Sequence, residues 1–199
     1  MAIDIKPILD SALKVLREGG VILYPTDTIW GLGCDATNPD AVARIFKIKN
    51  RPEAKSLVLL AADLDMVARY VKVVPNIAID LVEVNDRPMT IIYPGAITSD
   101  VPDRYYIAHN AVAEDGSVGI RIPMSEFCTE MARKLGRPIV STSANISGEP
   151  SPQVYADIAQ EIRDAVDYIV PQKLEKDATG FASQIIKVEV DGQVQIIRP

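Results

Sequence analysis

Three short stretches of this chain carry residue types that could do chemistry. In Lys49-Asn50-Arg51-Pro52, two cations stand one residue apart, just past the end of a predicted helix and against a proline. Cations held on a stiff turn can meet a phosphate or a carboxylate. They can equally complement the negative end of the helix dipole. In Ser141-Thr142-Ser143-Ala144-Asn145-Ile146-Ser147-Gly148, four hydroxyls and an amide follow an apolar run. Such groups beyond the carboxyl end of a buried strand can cradle an anion; they can also simply satisfy the local backbone. In Tyr24-Pro25-Thr26-Asp27-Thr28-Ile29-Trp30-Gly31-Leu32-Gly33-Cys34, two threonines and the only tryptophan sit beside glycines, which let backbone and ligand approach closely. A packed loop with Trp30 as core filler has the same composition.

Other familiar devices are missing. Gly31-x-Gly33 lacks the third glycine of a dinucleotide fingerprint, and no Gly-x-x-x-x-Gly-Lys-Ser/Thr occurs. His109 is the only histidine and has no carboxylate or cysteine close in sequence. A Ser-His-Asp triad or a histidine metal site would have to be built around it alone. Cys34 and Cys128 form neither a Cys-x-x-Cys pair nor a zinc spacing and read as free thiols. No metal-ligating cluster is expected. The 199 residues carry a net charge of −6, which argues against coating nucleic acid through bulk charge. That charge is uneven: between Arg44 and Lys55, five basic residues face one acid, leaving +4 there and −10 over the rest. No apolar run approaches the roughly 20 residues of a membrane span, and the start has no secretory pattern. A cytoplasmic protein that avoids the membrane is expected.

The elements that must position these stretches follow from periodicity. Ile8, Leu9, Ala12, Leu13 and Leu16 recur at helical spacing and end at Gly19-Gly20. Val21 to Tyr24 reads as a buried strand, and Pro25 to Asn38 as a loop. Asn38-Pro39 caps a helix whose face is Ala41, Ile45 and Ile48. Strands are predicted at 57–60, 90–93, 118–122, 138–140, 168–170, 184–190 and 194–197, the last two joined by a turn at Asp191-Gly192. Helices are predicted at about 63–71, 75–84 and 125–135, and another from Ser151-Pro152 to about Ala165. Residues 96–117 lack periodicity and are expected to form a flap that closes over the site. The mixture points to α/β: a single domain over 1–199 on a mixed parallel and antiparallel sheet flanked by helices.

Taken in this order, the stretches resemble the YrdC-like family, whose members include threonylcarbamoyl-AMP synthases. The resemblance runs from Gly20 to Pro199. It rests on Tyr24-Pro25-Thr26-Asp27-Thr28 with Gly31-Leu32-Gly33, on Lys49-Asn50-Arg51-Pro52, and on Ser141-Thr142-Ser143-Ala144-Asn145 with Ser147-Gly148. It implies a twisted, curved sheet enclosing a basic cavity. It also implies a nucleotidyltransferase that makes threonylcarbamoyl-AMP and pyrophosphate from L-threonine, bicarbonate and ATP. Mg²⁺ would sit mainly on the ATP phosphates, and partner proteins would complete the modification of tRNA. By matching position, Thr28, Arg121 and Ser141 are expected at the threonine. Lys49, Arg51, Lys55, Ser117, Ser143, Asn145, Ser151 and Arg198 are expected at the nucleotide, with Lys49 and Arg51 catalytic.

The chain departs from the family at Asn85-Asp86-Arg87, where a Trp-Pro-Gly-type segment is common, and at Lys55 and Leu60. Two other readings stay open. One is a non-catalytic module that binds tRNA or double-stranded RNA; the other is a paralogue acting on a different carbamoyl or adenylate substrate. Intact Lys-x-Arg and Ser-x-Asn pairs favour the synthase.

Overall fold

The first helix, α1 (Lys6–Arg17), buries the apolar face read from its sequence and carries Pro7 in its first turn. It is followed by β1 (Ile22–Pro25) and β2 (Trp30–Gly33), then α2 (Pro39–Ile48), β3 (Val58–Leu60), α3 (Leu64–Tyr70) and α4 (Asn76–Glu83). Next come β4 (Met89–Tyr93), β5 (Val118–Arg121), α5 (Glu126–Leu135), β6 (Ile139–Val140) and β7 (Thr142–Ser143). The chain ends with α6 (Gln160–Ala165), β8 (Tyr168–Ile169), β9 (Gln184–Val188) and β10 (Val194–Arg198). These come from a computed structural model that describes residues 3–51, 57–98 and 105–199. Among the described residues, no helix is long and apolar enough to cross a membrane.

The expected mixed pairing is present and is distributed over two sheets. One runs β7-β2-β1-β8 and the other β10-β9-β4-β5-β3-β6. The pairs β1–β8, β3–β5 and β4–β9 are parallel and the rest antiparallel. The sheets share one apolar core, with Trp30, Tyr24, Tyr70, Tyr93 and Phe46 among its largest buried side chains. They meet where the chain leaves β6 for β7. Ile139 and Val140 pair with β3, whereas Thr142 and Ser143 pair with β2. Ser141 stands at the changeover, its N–H donating to Val58 O at 2.8 Å.

Three expectations change. First, the stretch read as a loop contains β2, which pairs with β1 from Ile22↔Gly33 to Pro25↔Trp30. Its glycines weaken the strand signal, but Gly33 is needed there: a Cβ would lie 2.6 Å from Tyr24 Cε1 and 3.0 Å from Val140 O. Second, the helix expected from Ser151 begins only at Gln160. Before it, the Asp157 carboxylate accepts from the backbone N–H groups of Gln153 and Val154, closing a local turn instead. Third, the described parts of 96–117 are anchored. Ala96 N–H bonds Gly116 O, Ile97 N–H bonds Tyr70 O, and Ala108 N–H bonds Ala36 O, while Ile107, Ala108 and Ala111 are buried.

Candidate functional site

The C-terminus of α2 closes with a Schellman motif. Arg51 N–H donates to Phe46 O at 2.9 Å and Asn50 N–H to Lys47 O at 3.1 Å. Asn50 takes φ +48°, a conformation that asparagine tolerates better than most residues. This turn sends Lys49 and Arg51 different ways. Lys49 is 2% exposed, and its ammonium donates to Ser143 O, to Asn145 O at 2.6 Å and to Asn145 Oδ1 at 3.2 Å. Burial, and then the neighbouring Arg51 cation, bring it down to about 8. Arg51 instead lines a cavity of about 320 Å³ between the two sheets' converging segments.

That volume lies in the range of small-molecule sites, roughly 300–1,000 Å³. Thr28, Arg51, Ser117, Arg121, Ser141, Ser143, Ser151 and Arg198 all line it. Lys49 and Asn145 do not: both are spent on the segment 141–149, Asn145 through Nδ2 to Glu149 O and through Oδ1 as an acceptor. Lys55 lies outside the described residues. The structure also brings in Thr26, Trp30, Thr90 and Ser183, which sequence reasoning did not assign to the site. Thr90 and Ser183 share a 2.8 Å hydroxyl contact across 93 positions. The available signal was Thr90 itself, a polar residue on an apolar strand whose alternate positions, Thr90 and Ile92, face the cavity.

Two of the lining cations, Arg121 and Arg198, are held in place by named partners. Arg121 Nη1 donates to Asp27 Oδ1 at 2.5 Å, with both side chains buried, and Asp27 Oδ2 accepts from Met124 N–H at 3.1 Å. Asp27 thus holds Arg121 in place from behind the wall. Arg198 comes from β10 just past a register shift between Ile196 and Arg198. Its Nε and Nη2 donate to Ser183 O at 2.8 and 2.6 Å. Burial, and then the Arg121 cation, hold the Arg198 guanidinium below its ordinary value, as expected where a partly buried cation stands near another. No described lining residue is acidic, and none is a histidine or lysine.

The hydroxyls are polarised as well. Thr26 gives its one proton to Ile29 O, so in the 2.8 Å contact between Thr26 and Thr28 it is Thr28 that donates. Ser143 donates to Asn145 Oδ1 at 2.5 Å and Ser117 to Asp115 Oδ1 at 2.6 Å. Thr28, Ser117 and Ser143 therefore present lone pairs to the cavity.

A family model for Sua5, YciO and YrdC proteins, described as telomere recombination, matches residues 14–199. The chain belongs to this family. It is 38% identical over 142 residues to a threonylcarbamoyl-AMP synthase of Stenotrophomonas maltophilia, covering 71% of this chain and 74% of that protein. Against a threonylcarbamoyl-AMP synthase of Hahella chejuensis it is 32% identical over 166 residues, covering 83% and 86%. Among solved structures it is similar to P. abyssi Sua5 in complex with L-threonine, with a TM-score of 0.77 and 27% identity over 94% of this chain and 52% of that one. Another P. abyssi Sua5 structure, of an H234A/Y235A variant, gives a TM-score of 0.82 at 28% identity. There the match covers 99% of this chain but 57% of the other, so the chain spans little more than half of that protein. E. coli YciO gives 0.75 at 26% identity over 97% of this chain and 89% of that one.

Proposed function

We propose that this chain is a threonylcarbamoyl-AMP synthase, a nucleotidyltransferase that uses L-threonine, bicarbonate and ATP. The observation that carries this reading is the convergence of Arg51, Arg121 and Arg198 on one hydroxyl-lined cavity with no acidic residue among its described lining. Such a cavity suits a small, multiply anionic ligand. The curated relatives bear the name of this activity.

The chemistry asks for positioning and charge neutralisation. The threonine amine forms a bond to the carbon of bicarbonate; the carbon–hydroxyl bond breaks, the hydroxide leaves as water with a proton from the amine, and a carbamate remains. A carbamate oxygen then attacks the α-phosphorus of ATP, the bond from that phosphorus to the bridging oxygen breaks, and pyrophosphate leaves. Arg121 would hold the threonine carboxylate, Thr28 would accept from the threonine amine or hydroxyl, and Arg51 and Arg198 would face the nucleotide and its phosphates. Cations fixed in advance at the developing charge lower the barrier without reorganising. Mg²⁺, carried in chiefly on the phosphate oxygens of ATP, would neutralise phosphate charge beside Arg51. In this reading the product passes to partner proteins that modify tRNA, and the chain works in the cytoplasm.

The test is pyrophosphate release, with mass spectrometry of the nucleotide product. Release that requires both L-threonine and bicarbonate, with a threonylcarbamoyl-adenylate mass, is expected. Equal release without threonine overturns the reading. Salt-sensitive tRNA binding with no turnover would favour an RNA-binding module instead.

A further inference from the structure

Ser117 sits in the cavity wall just before β5 and is 7% exposed. It is held by a turn that lies outside the cavity. Gly116, at φ +76°, lets Asp115 fold back, so that Asp115 Oδ1 accepts both the Ser117 N–H at 2.9 Å and the Ser117 hydroxyl at 2.6 Å. Ala113 N–H bonds Ser117 O, and Ala96 N–H bonds Gly116 O. From β9, Lys187 Nζ approaches the second carboxylate oxygen at 3.4 Å. The Ser117 bonds, aided by Lys187, hold the Asp115 carboxyl below its usual range. A carboxylate only accepts. The one Ser117 proton therefore points away from the cavity, and two lone pairs face into it.

Phosphate oxygens are acceptors too, and meeting them would set lone pair against lone pair. We propose that Asp115 is a positioning residue that keeps Ser117 an acceptor, and that Ser117 reads a hydrogen-bond donor of the nucleoside rather than a phosphate. The inference rests on the nucleotide reading above. ATP carries such donors in the adenine amine and the ribose hydroxyls. An acceptor whose polarity cannot flip discriminates more sharply than a free hydroxyl, which would turn to suit an amine or a carbonyl alike.

The experiment is calorimetric binding of ATP, inosine triphosphate, 2′-deoxyATP and 3′-deoxyATP, each with magnesium. It compares the unaltered protein with Ser117→Ala, Asp115→Ala and Asp115→Asn. Asp115 is 56% exposed, so its variants should fold, and circular dichroism checks this. The unaltered protein is expected to bind ATP about ten-fold or more tightly than the one analogue lacking the donor that Ser117 reads. Ser117→Ala and Asp115→Ala should bring that ratio to within about three-fold. Asp115→Asn should keep it, because the Ser117 N–H still demands the amide oxygen and leaves the hydroxyl donating. The inosine arm identifies the amine and the deoxy arms a ribose hydroxyl. If every ratio is unchanged in Ser117→Ala and Asp115→Ala, the inference is overturned while the nucleotide reading stands. If the unaltered protein binds no ATP, both fall.

Discussion

Lys49→Met separates a cation that touches substrate from one that builds the wall. The methionine keeps most of the stem's bulk and removes all three donors. Ser143 O and Asn145 O then lose their ammonium partner, although Ser143 O keeps the Asn145 N–H at 3.0 Å. A stranded buried acceptor such as Asn145 O costs about 1–3 kcal/mol, and the weakened Ser143 O less. Asn145 Oδ1 keeps the Ser143 hydroxyl. Against this loss, removing the ammonium returns its burial cost. A drop from 10.5 to about 8 corresponds to about 3 kcal/mol. The net loss is at most about 3 kcal/mol, so the variant should fold, with a modestly lower urea midpoint. Turnover should nevertheless fall by about 10²-fold or more, because a misplaced Ser141–Asn145 segment spoils the geometry. If Lys49 acts through that segment, Lys49→Met and Ser143→Ala must be strongly non-additive. A double-mutant cycle on kcat/KM for ATP should return a coupling of about 0.5–3 kcal/mol. Additivity within about 0.5 kcal/mol would mean that Lys49 acts on the substrate directly, and the argument from its buried contacts would be wrong.

Arg51→Ala should lower kcat by about 10²-fold or more while the thermal midpoint moves little. An unfolded variant would show Arg51 to be structural. Asp27→Asn breaks a buried ion pair from one side and should destabilise the fold by about 3–5 kcal/mol in urea denaturation, with L-threonine binding lost by calorimetry. Unchanged threonine binding would remove Asp27 from the positioning of Arg121. Gly33→Ala pushes a methyl into the Tyr24 ring and Val140 O and should cost about 1–3 kcal/mol, read as a lower thermal midpoint. With pH the sign is set by Lys49, whose folded value near 8 lies below its ordinary 10.5. Between these values the unfolded chain binds more protons, so the stability of the unaltered protein relative to Lys49→Met should rise from about pH 8 to 10.5. A gap that shrinks over that window would contradict the burial of the ammonium.

Much of this was legible in local signals. Asn38 accepts from the N–H groups of Asp40 and Ala41, as its place before Pro39 suggests. The Asp191-Gly192 turn joins β9 to β10, with Gly192 at φ +88°. What escaped was set by contacts between distant segments. β2 reads as a loop because Gly31 and Gly33 weaken it; the need for Gly33 lies in the Tyr24 ring on the opposite strand. The Thr90–Ser183 pair joins residues that no spacing rule connects. The Lys-x-Arg motif marks the right turn, yet spacing cannot say which cation goes inward, because the left-handed Asn50 between them sets their directions. Asp157 defeats the helix expected from Ser151 by a local bond that composition leaves open.

The charge pattern shows how the site draws on remote parts of the chain. The basic window between Arg44 and Lys55 looks like the anion site in one piece. Within it, Arg44 pairs with Asp167 at 2.5 Å, Lys47 is exposed on α2, and Lys49 is spent on carbonyl oxygens. Of the described residues there, only Arg51 reaches the cavity. The other two arginines come from β5 and β10, each held by a protein partner: the buried Asp27 carboxylate behind the wall for one and Ser183 O in the wall for the other. Lys49 belongs to the same logic, since its ammonium ties the end of α2 to the strand that passes between the two sheets. A cluster of free surface cations would bind anions loosely and lose them to salt. Arg121 and Arg198, held by partners from separate elements, can grip an anionic ligand in one orientation, because the entropy of ordering them is spent in folding rather than at the moment of reaction.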